Sequence, residues 1–324
     1  MTEGHTQDLT LEDAASSAPS QYRGRFAPSP SGPLHFGSLI TALASFLDAR
    51  SHQGKWLVRI DDIDPPREQP GAADSILRCL EAHHLCWDET VFYQRHQTDV
   101  YENCLRELQK NDWIYHCNCS RQDLQITPGI YQGRCRDRQS EIQSPYALRL
   151  KLYDLPNHVS SEIIEFNDWI QGRQTQNLRT EAGDQIVKRR DGFYAYQLAV
   201  VVDDIAQKIS HIVRGRDLLD VTARQIYFFE LLGSKPPVYA HLPLALMPNG
   251  QKLSKQNLAP ALDNQQAHLN IWQALHFLDQ NPPLELKNSS VDEVLNWAVQ
   301  NWRMERVGRE DRIAFMKEAL LQKR

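Results

Sequence analysis

Gly24-Arg25-Phe26-Ala27-Pro28-Ser29-Pro30-Ser31-Gly32-Pro33-Leu34-His35-Phe36-Gly37-Ser38 decides how the rest of the chain is read. Pro28, Pro30, Gly32 and Pro33 exclude regular structure across the middle of it. Upstream, Tyr22–Ala27 reads as a short strand. Downstream, Ile40, Leu43, Ala44 and Leu47 fall at helical spacing from Gly37 to about His52. The stretch is a strand, a rigid turn, then His-x-Gly opening a helix. Open N–H groups at a helix N-terminus hold phosphate, and Gly37 lets a ligand approach the backbone closely. His35 beside them can donate a hydrogen bond to charge developing on a phosphoryl group. Taken alone, such a histidine is more often structural.

Outward from this corner, Trp56-Leu57-Val58-Arg59-Ile60 reads as a buried strand ending in the acidic loop Asp61-Asp62-Ile63-Asp64-Pro65-Pro66. Helices are expected near 71–85 and 96–111. Strand, helix, strand and helix make an α/β, Rossmann-like parallel sheet, whose sites sit at the carboxyl ends of the strands. Both loops fall at such ends. Residues 113–183 break the rhythm with a cysteine cluster and a strand at Tyr146–Lys151, and read as an insertion. The pattern resumes with Ala199–Asp203, Ile209–Val213 and a helix near 217–232, before His241–Leu246 leads to a lysine loop. Three short helices are expected near 264–279, 291–303 and 309–322. The expected division is a flexible extension over 1–21, catalytic halves at 22–112 and 184–261 around the 113–183 insert, and a helical appendage over 262–324.

The chain has 324 residues, 41% hydrophobic and 24% charged, the make-up of an ordinary soluble globular protein. No run approaches the roughly 18 apolar residues of a membrane span. The first twenty residues are acidic and polar, unlike a secretory signal, so a cytoplasmic location is expected. A net charge of -5 does not advertise a nucleic-acid binder. Local basic patches leave room for one: Arg134–Arg138, Lys188–Arg190, Arg214–Arg216, and Arg303, Arg306, Arg309 and Arg312. Six cysteines in such a chain argue against a disulfide framework. Cys79, Cys86 and Cys104 read as small buried apolar residues. Cys117, Cys119 and Cys135 are clustered and suit a tetrahedral Zn²⁺, its fourth ligand left open among Tyr131, His116 and water.

Lys252-Leu253-Ser254-Lys255-Gln256 follows the first motif by more than 200 residues. A mobile lysine suits a leaving pyrophosphate. In this order and at this separation, the two motifs resemble the HIGH and KMSKS signatures of class I aminoacyl-tRNA synthetases. Gly24–Gly32, Val58–Asp64, Val201–Asp204 and Ile212–Gly215 resemble the catalytic core of the glutamyl-tRNA synthetase family, over about residues 22–260. Lys-Leu-Ser-Lys-Gln-Asn, the later Ala-Pro-Ala-Leu and His-Phe-Gly-Ser resemble the truncated, queuosine-directed paralogues within that family.

The resemblance implies a glutamate site made by Arg25, Phe26, Ala27, Pro28, Ser29, Asp61, Tyr196 and Arg214. A dicarboxylate calls for arginines, whose forks grip carboxylates. Asp61 stands where the family has a glutamate that receives the substrate ammonium, one methylene shorter. Asp64 is the other acidic candidate, with capping of the Pro65-Pro66 turn as its alternative task. ATP is expected at His35, Gly37, Ser38, Lys252, Ser254 and Lys255, with Mg²⁺, His35 and Lys255 being catalytic. The resemblance also implies one structural zinc held by Cys117, Cys119, Tyr131 and Cys135. Sixty-nine residues follow Lys255, too few for the family's anticodon-binding region. Together with this short remainder, the resemblance to the queuosine-directed paralogues implies a monomer that activates glutamate without RNA and transfers it to the cyclopentenediol of queuosine at the wobble position of tRNA(Asp). Attachment to the 3′-terminal adenosine of a tRNA is the alternative.

Overall fold

The computed structural model describes residues 21–120, 122–123, 130–131, 133–138, 142, 144–155, 161–253 and 259–314. Outside them lie Ser254 and Lys255, residues 1–20 of the expected extension, and residues 315–322 of the expected last helix.

Strand β1 (Arg23–Phe26) runs through the proline turn into α1 (Phe36–Ser51), which returns the chain to β2 (Lys55–Ile60). The two strands pair in parallel, Gly24 opposite Trp56 and Phe26 opposite Val58, so α1 is a crossover helix. After α2 (Ala72–Ala82), β3 (Phe92–Tyr93) adds in parallel to the far side of β2. Helix α3 (Thr98–Lys110) then leads into the insert. Its strands β4 (Ile114–Cys117) and β5 (Ala147–Leu150) pair antiparallel, and β6 (Ile163–Asp168) and β7 (Gly172–Asn177) form a hairpin. The third strand of the β4–β5 sheet is β8 (Gln185–Lys188).

The parallel architecture resumes with α4 (Tyr196–Ala206), β9 (His211–Gly215), α5 (Leu219–Leu231) and β10 (Val238–Leu242), with β9 and β10 paired in parallel. Ser210 stitches the halves together. Its N–H donates to Arg23 O at 3.0 Å, and its hydroxyl accepts from Arg23 N–H at 2.8 Å. The spatial order is thus β3-β2-β1-β9-β10, reversing direction of growth between β1 and β9. Ligands of open α/β sheets bind at the carboxyl side of such a reversal. Beyond it come β11 (Ala245–Leu246), α6 (Ala267–Phe277), α7 (Val291–Asn301) and β12 (Arg312–Ile313).

Helix α1 is buried nearly all round, including Ala42, Leu43, Ala44, Leu47 and Ala49. A helix apolar on every side belongs inside: the sheet covers one face, and the core it shares with Leu275, Phe277, Leu295 and Trp302 covers the other. A second core joins Tyr101 and Leu105 of α3, Leu150, Val187, Leu198 and Phe228. No described helix is long and apolar enough to cross a membrane.

Three sequence expectations change. Ala199–Asp203 lies within α4, its unbroken apolar run reflecting burial on several sides rather than a strand. Residues 309–314 are not helical: Arg312 and Ile313 pair in parallel with Ala245 and Leu246. A short segment gains little from helix propensity alone, so tertiary pairing decides. Cys79 is buried and Cys104 half-buried, but Cys86 is exposed, just past the C-terminal end of α2.

Candidate active site

His35 caps α1, its Nδ1 accepting from Ser38 N–H at 3.3 Å. The ring is thereby fixed across the first turn, where Gly37 and Ser38 stay partly exposed. A Cβ added at Gly37 would meet the His35 ring at 3.2 Å and Leu253 O at 3.3 Å. The glycine is thus required by close approach. The same contact places the backbone of the lysine loop against the helix corner, one residue before Ser254. Leu253 is anchored there by its N–H to Ala245 O at 2.8 Å, and Lys252 by an ion pair with Asp217 at 2.6 Å. On the loop's far side, Leu262 N–H donates to Leu34 O at 3.0 Å. The two motifs converge although 200 residues separate them.

Arg25 and Arg214 flank the reversal, at the carboxyl ends of β1 and β9. Arg25 is buried and forks onto Asp204 of α4, at 3.1 and 3.2 Å. Asp204 also accepts from Arg59 Nη1 at 2.6 Å, and Arg59 Nε donates to Asp61 at 2.8 Å. Burial works against charge on Asp204, yet Arg25 and Arg59 hold its carboxyl below the usual range. For Asp61, burial wins over Arg59 and pushes the carboxyl up. Arg59 Nη2 is buried without a partner among the described residues.

Arg214 is only 3% exposed, so Arg214–Arg216 is not the surface patch that its composition suggests. Its Nε donates to His241 Nε2 at 3.0 Å and its Nη2 to Thr222 Oγ1 at 2.9 Å. Nη1 is buried with no partner among the described residues, as is the Tyr239 hydroxyl, whose ring lies 5.1 Å from the guanidinium carbon. Burial pushes the Tyr239 phenol up, and it feels the charges of Arg214, Asp204 and Arg25 and the Tyr196 phenol. Tyr196, half-buried, opens α4 beside them. A buried guanidinium with an open nitrogen, beside a phenol with no partner among the described residues, is what an anionic ligand requires.

Of the other expected residues, Ala27 and Pro28 are half-buried and Ser29 is exposed along the turn. The Phe26 side chain faces away from Arg25, as strand alternation demands, and joins the core. Asp64 does not cap the Pro65–Arg67 turn with its side chain. It pairs with Arg67 and, at 3.0 Å, with Arg189, whose charges outweigh a local backbone contact.

The sulfurs of Cys117, Cys119 and Cys135 lie within 4.8 Å of one another. The Tyr131 hydroxyl sits 3.4 Å from Cys117 Sγ, 3.5 Å from Cys119 Sγ and accepts from Cys135 N–H at 3.0 Å. His116 is on the opposite face of β4, stacked on Tyr146 at 3.9 Å, so it is not the fourth donor. Three thiols and a phenol in this cluster can hold a metal ion.

Arg59, Asp168, Asp204, Tyr239 and His241 were given no site role by sequence reasoning. The partners that bring them to the site are distant in sequence, Asp204 being 179 positions from Arg25 and His241 27 from Arg214, where no local spacing signals them. The buried Asp203-Asp204 pair in an apolar run was the one available hint.

Comparison with known proteins adds independent findings. A family model described as class I tRNA synthetases (E and Q), catalytic domain, matches residues 21–270. A glutamyl-Q tRNA(Asp) synthetase of Idiomarina loihiensis is 46% identical over 282 residues, 87% of this chain and 96% of the relative. One of Pseudomonas aeruginosa is 47% identical over 290 residues, 90% of this chain and 96% of the relative. A solved glutamate tRNA ligase from Elizabethkingia meningosepticum, in complex with its amino acid, superposes with a TM-score of 0.74. It is 25% identical, and the match covers 91% of this chain and 67% of that one.

Proposed function

Since the chain belongs to the class I tRNA synthetases (E and Q), and within them to the glutamyl-Q tRNA(Asp) synthetases, we propose that it activates L-glutamate with ATP, without RNA, and then esterifies it to queuosine. The acceptor is the cyclopentenediol at the wobble position of tRNA(Asp). The carrying observation is the pair of buried arginines at the sheet's reversal, with Arg214 Nη1 left without a partner among the described residues.

Glutamate binds with its acidic groups toward Arg25 and Arg214 and its ammonium toward Asp61, with Tyr196 and the turn from Phe26 to Ser29 lining the cleft. Its α-carboxylate attacks the α-phosphorus of ATP in line, and pyrophosphate leaves. His35, Gly37, Ser38 and the α1 N-terminus take up the developing phosphate charge. Lys252, Ser254 and Lys255 hold the leaving group, and Mg²⁺ bound with ATP neutralises phosphate charge. A hydroxyl of queuosine then attacks the mixed anhydride, releasing AMP. Asp61 is the shorter homologue of the expected glutamate, and Arg59 holds it by one oxygen, leaving the other toward the substrate.

We further assign the cysteine cluster to one structural zinc held by Cys117, Cys119, Tyr131 and Cys135. Zinc–sulfur bonds of about 2.3 Å put tetrahedral ligands about 3.8 Å apart, within the spread of the sulfur and phenol distances above. We read the chain as a monomer acting in the cytoplasm, with an insert between two catalytic halves and a helical region after residue 262.

The test uses purified protein, ATP and glutamate. ATP–pyrophosphate exchange should appear with glutamate and no RNA. Glutamate should then pass to tRNA(Asp) carrying queuosine and not to the same transcript lacking it. Equal acceptance of both RNAs would sink the reading.

A further inference from the structure

Arg214 is held by a buried chain of hydrogen bonds that ends at a carboxylate on the β6–β7 hairpin. Asp168 closes the β6–β7 hairpin and is 1% exposed; His241 of β10 is fully buried. Asp168 Oδ1 accepts the N–H groups of Ile170, Gln171 and His241 at 3.0, 2.8 and 3.1 Å. Its Oδ2 lies 2.6 Å from His241 Nδ1. An ionised carboxylate only accepts, so Nδ1 carries the ring proton. At the other end the Arg214 Nε–H always donates, so Nε2 must offer a lone pair. Both ends demand the same neutral tautomer.

The remaining donors are equally constrained. The Thr222 hydroxyl accepts from Arg214 Nη2 and has two acceptors for its own proton, Leu218 O at 2.9 Å and His241 Nε2 at 3.1 Å, the second again calling for a lone pair on Nε2. Nη2 also faces Leu218 O at 3.4 Å. With Nε and Nη2 occupied, Nη1 is the part of the fork that, among the described residues, remains for a ligand.

We propose that Asp168 and His241 are positioning residues for the substrate arginine: they fix the His241 tautomer that captures Arg214 Nε, and so present Nη1 to the glutamate carboxylate. The inference rests on Arg214 binding glutamate, as proposed above. It ties the amino-acid site to the hairpin of the insert, since Asp168 shapes that turn and orients His241 with one carboxylate.

Four variants test it by glutamate-dependent ATP–pyrophosphate exchange, with KM measured separately for glutamate and ATP. Asp168→Asn can still accept the turn N–H groups, but its amide donates to Nδ1 and drives the ring proton to Nε2, facing Arg214. His241→Asn retains a partner for Asp168 and loses the acceptor for Arg214, whereas His241→Gln places an acceptor near Nε2. Asp168→Asn and His241→Asn should raise the glutamate KM on the order of tenfold or more, the size of a lost hydrogen bond to a charged group. His241→Gln should stay within about threefold of the native chain, and the ATP KM should not move in any of them. Arg214→Lys is the control. If it raises the glutamate KM while His241→Asn and Asp168→Asn do not, the inference fails and the function stands. If Arg214→Lys leaves the glutamate KM unchanged, the glutamate assignment fails and takes the inference with it. Equal rises in both KM values across all variants, His241→Gln included, mark a merely structural role and overturn the inference.

Discussion

The carboxyl of Asp203 shows how much a single residue depends on its surroundings. It is 1% exposed, accepts from the Tyr101 hydroxyl at 2.8 and 3.0 Å and from Gln94 Nε2 at 2.7 Å, and has Arg59 Nε at 4.0 Å. Burial is the largest influence, and with the nearby Asp61 charge it raises the carboxyl to about 7 despite Arg59 and the hydrogen bonds. Its neighbour Asp204, gripped by two arginines, moves the opposite way. The unfolded carboxyl titrates near 4, so between about pH 4 and 7 the folded chain binds more protons than the unfolded one. The stability from neutral Asp203 is therefore full below about pH 4 and lost as pH rises through about 7. Asp203→Asn, permanently neutral, should gain stability relative to the native chain between pH 5 and pH 8. Urea midpoints at the two pH values check this, and a difference between the chains that does not change with pH removes the argument. The adjacent Asp203 and Asp204 were legible as a motif. Their opposite ionisation was not, because Arg25, Arg59 and Tyr101 reach them from distant strands and helices.

Among the elements, β4 carries the clearest consequence. Strand alternation buries Tyr115 and Cys117 and turns His116 to the other face. Tyr115 donates to Asp184 at 2.6 Å, and Arg136 also pairs with Asp184, so the residues around the cysteines are tied to the insert sheet. Burial acts against a thiolate at Cys117, but hydrogen bonds from Tyr131, the Cys119 backbone and Arg149 outweigh it and bring the thiol down to about 7. Such a thiol is readily deprotonated for a metal. Cys-x-Cys with one later cysteine was readable as a metal motif in sequence. The tyrosine became a physical candidate only once folding set its hydroxyl against two sulfurs. Cys119→Ser should reduce bound zinc from about one per chain, by elemental analysis. The same variant should slow transfer to RNA while leaving glutamate-dependent exchange close to native, because the cluster is carried by β4 and the chain after it and not by β1 or β9. Native protein without stoichiometric zinc, or a variant that transfers normally, contradicts this. By contrast α4 was misread at its apolar core, where the unbroken run Leu198–Val202, rich in β-branched valine, reads as a strand.

In the whole molecule, the helices after residue 262 share one packed unit with the nucleotide corner. Asp48 of α1 accepts from the Tyr22 hydroxyl before β1 and from Trp302 Nε1 after α7, the latter at 3.1 Å. Phe277 of α6 meets Phe36 edge-on at 6.2 Å, next to His35. Asp311 accepts from Leu244 N–H at 2.7 Å, and Arg312 forks onto Asp279 at 2.8 Å through both nitrogens. Sequence periodicity shows that each helix has an apolar face but not which face it meets, so the reading of an appendage could not foresee this shared core. Two variants separate an appendage from a structural half. Trp302→Phe keeps an aromatic ring, though a smaller one, and withdraws one donor from a buried carboxylate that burial already pushes above its usual range. It should cost about 1–3 kcal/mol, seen as a lower urea midpoint at unchanged slope. Removing residues 263–324 uncovers the outer face of α1, including the surroundings of Leu43 and Leu47, which are now fully buried. The shortened chain should lose its cooperative thermal transition and its exchange activity together, because the helix that presents His35 and Gly37 has lost half of its packing. A shortened chain that melts cooperatively and exchanges at the native rate would instead make these helices dispensable for catalysis and leave the corner supported by the sheet alone.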